Sequence, residues 1–500
     1  MNQEENDFDS FERDFMNNIV IRQEETNLDK FERYVMNNIP IRLIRLSDMK
    51  FVVRSDVKKH FRDSVPLGDS LYHPSESVRY AILSHRWLDE GEPTYDDIKA
   101  DTAEGLAGYV KLKNFCEKAR EYGMEFAWSD TCCIDKNNST ELDESIRSMF
   151  RWYRNSAICI VHLAQSETIV DVEHDEWFTR GWTLQELLAP ERIKFFYKRW
   201  APLTDDEDDK NMEPTEVMET LERATLIPFD DLFFTPGPIR VDKRMTWAAR
   251  RKTTRAEDAA YSLMGMFDVS LQVAYGEGGD RAFCRLIEAI MQAGDPSVFN
   301  WKGQSAEHCT SRAIPRSPQS YVNCQVLEFD AERLEMTMTS LGLRVPLAIL
   351  PLNVSWRRFD GSSTCLKLKC PLCPAVEIDF TSYDHANLFP DDMVRAMSDE
   401  NSWVYALGVV NYSNIEGSRE VLGIRRKSAG FILARKPKST FPPGFQPSDS
   451  LGITIVPRPE EKFTKWSLVD NGGLIAVEFP NIPEGSVVYI DPNYLQSVYL

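Results

Sequence analysis

Residues 125–163 read EFAWSDTCCIDKNNSTELDESIRSMFRWYRNSAICIVHL, and this stretch decides the fold. EFAWSD (125–130) has the composition of a short strand. Thr140 and Asp143, three apart, form a capping-box-like helix start. Ile146, Met149, Phe150 and Tyr153 then recur at i, i+3, i+4 and i+7, one face of a helix. AICIVHL (157–163) is apolar enough for a strand buried on both faces. Strand, helix, strand implies a right-handed crossover between parallel neighbours.

The pattern extends in both directions. Tyr80–Leu83 is an apolar strand, and 109–122 carries Leu112, Phe115, Cys116 and Ala119 at helical spacing before Gly123. Trp182–Leu188 is a short helix stopped by Pro190, and Ile193–Tyr197 is a further strand. Residues 45–200 are therefore expected to form an α/β domain with a doubly wound parallel sheet. The acidic TDDEDDK (204–210) marks a boundary. Helices at 214–224, 242–267 and 279–293 make 201–302 a helical extension. From 303 to 500 the chain turns β-rich. TCLKLKC (364–370), AVEIDF (375–380), WVYALGVV (403–410), GFILAR (430–435), LGITIV (451–456) and LIAVEF (474–479) predict an antiparallel sandwich or barrel.

Residues 1–44 hold a duplication. EENDFDSFERDFMNNIVIR (4–22) aligns with EETNLDKFERYVMNNIPIR (24–42) at an offset of 20. Two copies are too few for a solenoid. The segment reads as an acidic N-terminal arm, dispensable for folding.

Composition excludes several classes. The 500 residues are 42% apolar and 27% charged, as in globular proteins. With 58 basic and 78 acidic side chains the net charge is −20, which opposes broad binding to nucleic acid or anionic membrane. The longest apolar run, near Leu341–Val354, contains Arg344 and two prolines, so no membrane span is expected. The N-terminus lacks the features of a secretory signal. Ten scattered cysteines suit a reduced, cytoplasmic setting, with free thiols and no bound metal.

Few motifs carry chemistry. No GxxxxGK[ST] string occurs. YGEGG (275–279) precedes a helix and reads as a plain glycine turn. CPLC (370–373) with Cys365 lacks enough partners for zinc. Ser84, His85 and Asp130 invite a hydrolase triad, but neighbours on a strand project to opposite faces. Position says more. Ser84 and His85 end one strand and Asp130 ends another, and open parallel sheets bind ligands beyond such ends. Position alone leaves Asp130 either as a ligand group or as a cap for the following loop.

Three strings carry a family resemblance: RYAILSHRW (79–87), SDTCCIDKNNSTELDESIRSMFRWYRNSAICIVHL (129–163) and WFTRGWTLQELLAPERIKFF (177–196). In order and spacing they resemble the fungal heterokaryon-incompatibility (HET) domain. EDAAYSLMGMFDVSLQVAYGEGGDRAFCRLIEAI (257–290) resembles the helical extension that commonly follows it. The family usually reads SHTWG where this chain has SHRWL, so Arg86 and Leu88 depart from the pattern. The resemblance implies a role in non-self recognition between hyphae and in cell death. The implied partners are other incompatibility or immune-receptor proteins and further copies of the chain.

The HET domain is in turn similar to the TIR domain, whose fold is flavodoxin-like. That resemblance places Glu186, in RGWTLQEL, at the glutamate that serves NAD cleavage in TIR enzymes. NAD is then the substrate, and no resident cofactor is expected. Ser84, His85, Trp87, Asp130 and Trp182 are the implied substrate-binding residues, with either tryptophan able to stack on a flat base. Glu186 is expected on a partly exposed helix face. The alternative is a non-enzymatic adaptor that assembles through like domains.

Overall fold

The apolar runs read as strands do form a sheet in the computed structural model. It describes residues 25–500 except 67–71, 234–235, 238–239, 310, 323, 325, 328, 330–332, 360–362, 370–376, 383–403, 416–420, 436–463, 466, 469–472 and 480–486. The first repeat copy, the CPLC string and the strand read at 451–456 lie outside the described residues.

Chain order begins with helix α1 (Asn27–Asn38) and strands β1 (Arg42–Arg45), β2 (Lys50–Val53) and β3 (Tyr80–His85). Helix α2 (Ala107–Glu121), β4 (Phe126–Trp128), helix α3 (Ser139–Arg154) and β5 (Ile158–His162) follow. Helix α4 (Thr183–Leu188) and β6 (Ile193–Phe196) complete the α/β region. The strand order is β2-β1-β4-β3-β5-β6. β3 runs parallel to β4, and β5 to β6. β1 runs antiparallel to both β2 and β4. The sheet is therefore mixed, which corrects the all-parallel expectation. RLIR and KFVV are four-residue strands with two charged residues and one, too short to announce themselves by periodicity.

The chain divides into two compact units. One comprises residues up to Leu83, Asp89–Asp135 and Asn155–Ile158; the other comprises Ser84–Leu88, Lys136–Arg154 and Cys159–Leu500.

In the first unit, the second repeat copy is no loose arm. Thr26 caps α1 through its side chain, in a capping box with Asp29. Phe31, Val35 and Ile39 are fully buried. Arg42 donates to the Cys133 carbonyl at 2.8 Å and covers the Tyr95 ring at 4.1 Å. This corrects the reading of the segment as dispensable.

In the second unit, helices α5 (Glu216–Thr225), α6 (Val241–Ala248) and α7 (Gly279–Met291) build the helical extension. The helix predicted over 242–267 ends at Ala248. A short helical turn, Asp258–Tyr261, is all that follows within that span. The β-rich part contains β7 (Gly342–Phe359), β8 (Ser363–Lys369), β9 (Glu377–Ser382), β10 (Val404–Val409) and β11 (Lys427–Arg435). They pair antiparallel in the order β9-β8-β7-β10-β11. All but the first residue of the apolar run at Leu341–Val354 falls within β7, and among the described residues no helix is long and apolar enough to cross a membrane.

Candidate functional site

The site grows from the end of β3. YAILSH is buried throughout, so the strand delivers Ser84 into a dry environment. The Ser84 hydroxyl donates to Glu186 Oε2 at 2.5 Å. It accepts the Trp177 indole N–H at 2.8 Å. A hydroxyl has one proton to give, and here the carboxylate takes it.

Each partner is held from behind. Trp177 sits in a single 3-10 turn, Glu176–Thr179, capped by Asp175. Asp175 Oδ1 accepts the Trp177 amide at 3.0 Å, while Oδ2 accepts the Gln165 and Ser166 amides and the Ser166 hydroxyl. The indole packs edge-on against Phe178 and Phe195. Glu186 lies on α4, all six residues of which are buried. It is 5% exposed, which corrects the expectation of a partly exposed helix face. α4 is followed by Pro190 and wedged against neighbours on every side, so periodicity could not show an open face.

Two buried cations attend α4. Arg251 Nη1 donates to the Arg180 carbonyl at 2.9 Å and to Thr183 Oγ1 at 3.0 Å. Burial pushes its guanidinium down to about 9, and the charge of Glu186 pulls it back up. Its Nη2 is buried without a hydrogen-bond partner. Lys210 Nζ caps the carboxyl end of α4, donating to the carbonyls of Leu187, Leu188 and Pro190 at 3.3, 3.2 and 2.9 Å. Burial pushes this amine down to about 8. The Cys159 thiol is driven well above its ordinary value, chiefly by burial and then by the charge of Glu186. Its sulfur lies 3.8 Å from the Glu186 carbonyl.

The other expected residues are placed as follows. His85 is buried beside Ser84. Trp87 is 37% exposed, with Lys136 Nζ 3.8 Å from its ring centre. Arg86, one of the departures, pairs with Glu176 at 3.0 Å. Trp182 is half-buried and hydrogen-bonds the Asp258 carboxylate, which also accepts the Tyr275 hydroxyl at 2.9 Å. Asp130 follows β4 in the first unit. The structure thus joins Ser84 to Glu186 across 102 positions of sequence. Sequence reasoning missed Trp177, although it lies inside the quoted WFTRGW string. It also missed Arg251 and Lys210, which no spacing rule connects to α4.

Two motif readings can be settled. In YGEGG, the Gly276 and Gly278 amides both donate to Glu257 Oε1, at 2.9 and 3.1 Å, so an internal carboxylate fills the turn. The free-thiol expectation fails at one pair: Cys284 and Cys309 form a disulfide. Cys116, Cys132, Cys133, Cys159 and Cys324 are free. A pair separated by 25 residues gives no local signal, so only the fold reveals it.

The buried serine–glutamate pair thus lies at the carboxyl end of β3. Residues 80–170 match the family model described as Heterokaryon incompatibility protein (HET). That part of the chain is therefore similar to a HET domain. Over 224 residues, 42% of its length, it is 45% identical to Vegetative incompatibility protein HET-E-1 of Podospora anserina. The matched segment spans 16% of that relative. No solved structure matches the chain.

Proposed function

We propose that the chain is an effector of vegetative incompatibility, acting in the cytoplasm to trigger cell death on non-self recognition, and that its HET domain cleaves NAD at Glu186. The Ser84–Glu186 bond at the carboxyl end of β3 carries this reading. Counted from β3, the parallel-type strands stand in the order second, first, third, fourth. That is the beginning of the flavodoxin-like order, in which ligands sit where the order reverses. The identity to an incompatibility protein supports the biological role.

The chemistry fits one carboxylate. As the bond from C1′ of the ribose to the nicotinamide nitrogen breaks, its electron pair goes to that nitrogen and the nicotinamide leaves neutral. C1′ gains oxocarbenium character, which Glu186 stabilises. Water then adds to C1′ and loses a proton. No strong general acid is needed. Partners on this reading are further copies of the chain and other incompatibility or immune-receptor proteins.

The burial of Glu186 favours a second reading, a non-enzymatic adaptor working by homotypic assembly. The carboxylate is 5% exposed, and a cavity of about 470 Å³ in the first unit is lined by Arg45, Phe51, His60 and Phe126 among others. On this reading Glu186 is a structural group. One experiment separates the two. Assembly is forced in cells expressing wild type or Glu186→Gln, with circular dichroism to verify folding. Loss of NAD and death with wild type alone supports the enzyme. Undiminished death with NAD untouched transfers the function to the adaptor.

A further inference from the structure

Asp280, Cys284 and Glu288 follow one another at four-residue spacing on α7, so all three project from one face. The segment after α7 returns to that face. Asp280 Oδ2 accepts the backbone amides of Glu307 and His308, at 3.1 and 3.4 Å. This fixes the backbone just before Cys309. Glu288 Oε1 then lies 3.5 Å from Cys284 Sγ and 3.9 Å from Cys309 Sγ. One ligand atom from each of Cys284, Glu288 and Cys309 lies within 4.8 Å of the others.

These separations have a chemical meaning. Zinc binds thiolate sulfur at about 2.3 Å and carboxylate oxygen at about 2.0–2.2 Å in a tetrahedron. The sulfur–oxygen edges of that tetrahedron are about 3.5–3.7 Å. The two sulfur–oxygen separations here, 3.5 and 3.9 Å, match such edges to within about 0.2 Å. Two soft sulfurs select zinc over magnesium or calcium, which take oxygen ligands. Cys284 is buried, while Glu288 and Cys309 are half-buried, so the fourth position faces solvent.

We propose that Cys284, Glu288 and Cys309 bind one zinc ion when the cysteines are reduced, with water as the fourth ligand. The disulfide seen here is the alternative state of the same pair. Two equivalents of a thiol reductant convert it to two cysteine thiols, and the reductant leaves as its own disulfide. Zinc then displaces one proton from each thiol. Metal and disulfide exclude each other, and either one fastens the segment around residue 309 to α7.

The test uses the full chain. Protein reduced with a phosphine under nitrogen is incubated with zinc, desalted, and analysed for bound metal. One zinc per chain is expected, and none after oxidation with diamide. Cys284→Ser and Cys309→Ser should each weaken retention by more than about tenfold, the loss that even outer-shell partners of a metal can cause, and Glu288→Gln by about that much. Reduced protein with free thiols and no retained zinc overturns the proposal. So does retention in both serine variants equal to that of wild type. Should those variants not fold, wild type with cadmium is alkylated instead and its peptides mapped. Protection of Cys284 and Cys309 supports the site, and full labelling of both overturns it.

Discussion

Trp177 and Glu186 meet through one hydroxyl. The indole N–H donates a hydrogen bond to Ser84 Oγ, and the Ser84 hydroxyl donates one to the Glu186 carboxylate. The direction of this relay follows from the donors available, since an indole can only donate and a carboxylate can only accept. Ser84→Ala leaves the buried indole without this acceptor and takes one donor from Glu186. The expected cost is about 1–3 kcal/mol in a denaturant titration. A cycle combining Ser84→Ala with Trp177→Phe should show coupling of at least about 0.5 kcal/mol. Additive losses would mean that the two bonds do not act as a unit.

The second repeat copy should matter to stability. Phe31, Val35 and Ile39 are each fully buried, and burial of one such side chain is worth about 1.5–3 kcal/mol. A chain beginning at Leu43 loses all three, together with the bond from Arg42 to the Cys133 carbonyl. It should melt many degrees below a chain beginning at Glu25. Equal melting temperatures would show that the helix contributes nothing to the fold.

What the sequence revealed divides along physical lines. β3, β5 and β6 were legible because dense apolar runs leave little choice of environment. α3 was legible because its apolar face, from Ile146 to Tyr153, repeats over two turns. β1 and β2 were not, since they form by pairing with each other and by the long-range pairing of Ile44 and Arg45 with β4. Ser84 and Glu186 emerged separately, one from its place at a strand end and the other from a family resemblance. Their contact could not emerge, because it spans 102 residues and depends on the turn that Asp175 holds. The burial of Glu186 was misread for the same reason. A glutamate in a short helix is ordinarily solvated, and only its partners make burial tolerable.

Gly265 should tolerate no side chain. A Cβ added there would overlap Cβ and Cγ of Phe150, on the buried face of α3. The ring of a fully packed aromatic cannot swing away as a lysine would. Gly265→Ala is therefore expected to cost about 1–3 kcal/mol by overpacking. Phe150→Leu in the same chain should return little of that loss, because leucine keeps the Cβ and Cγ atoms that overlap, whereas it should destabilise wild type. A neutral Gly265→Ala would show that the two segments separate easily.

Lys210 predicts a pH dependence of definite sign. Its amine titrates at about 8 in the folded chain and at 10.5 ordinarily, with burial as the main cause. Between those values the unfolded chain holds a proton that the folded chain has released. Stability then rises with pH across that window. Below pH 8 the folded chain bears the full penalty of a buried charge, about 3 kcal/mol at the standard conversion of pKa to free energy. Lys210→Met keeps the length and apolar stem but cannot titrate. It also strips the carbonyls of Leu187, Leu188 and Pro190 of their donor, so its absolute stability is a poor readout. The informative quantity is the difference between wild type and variant, followed from pH 7.5 to 10 by urea unfolding. It should shift toward wild type as the pH rises. A difference that stays flat would place the ammonium in a solvated setting and refute its role as the buried cap of α4.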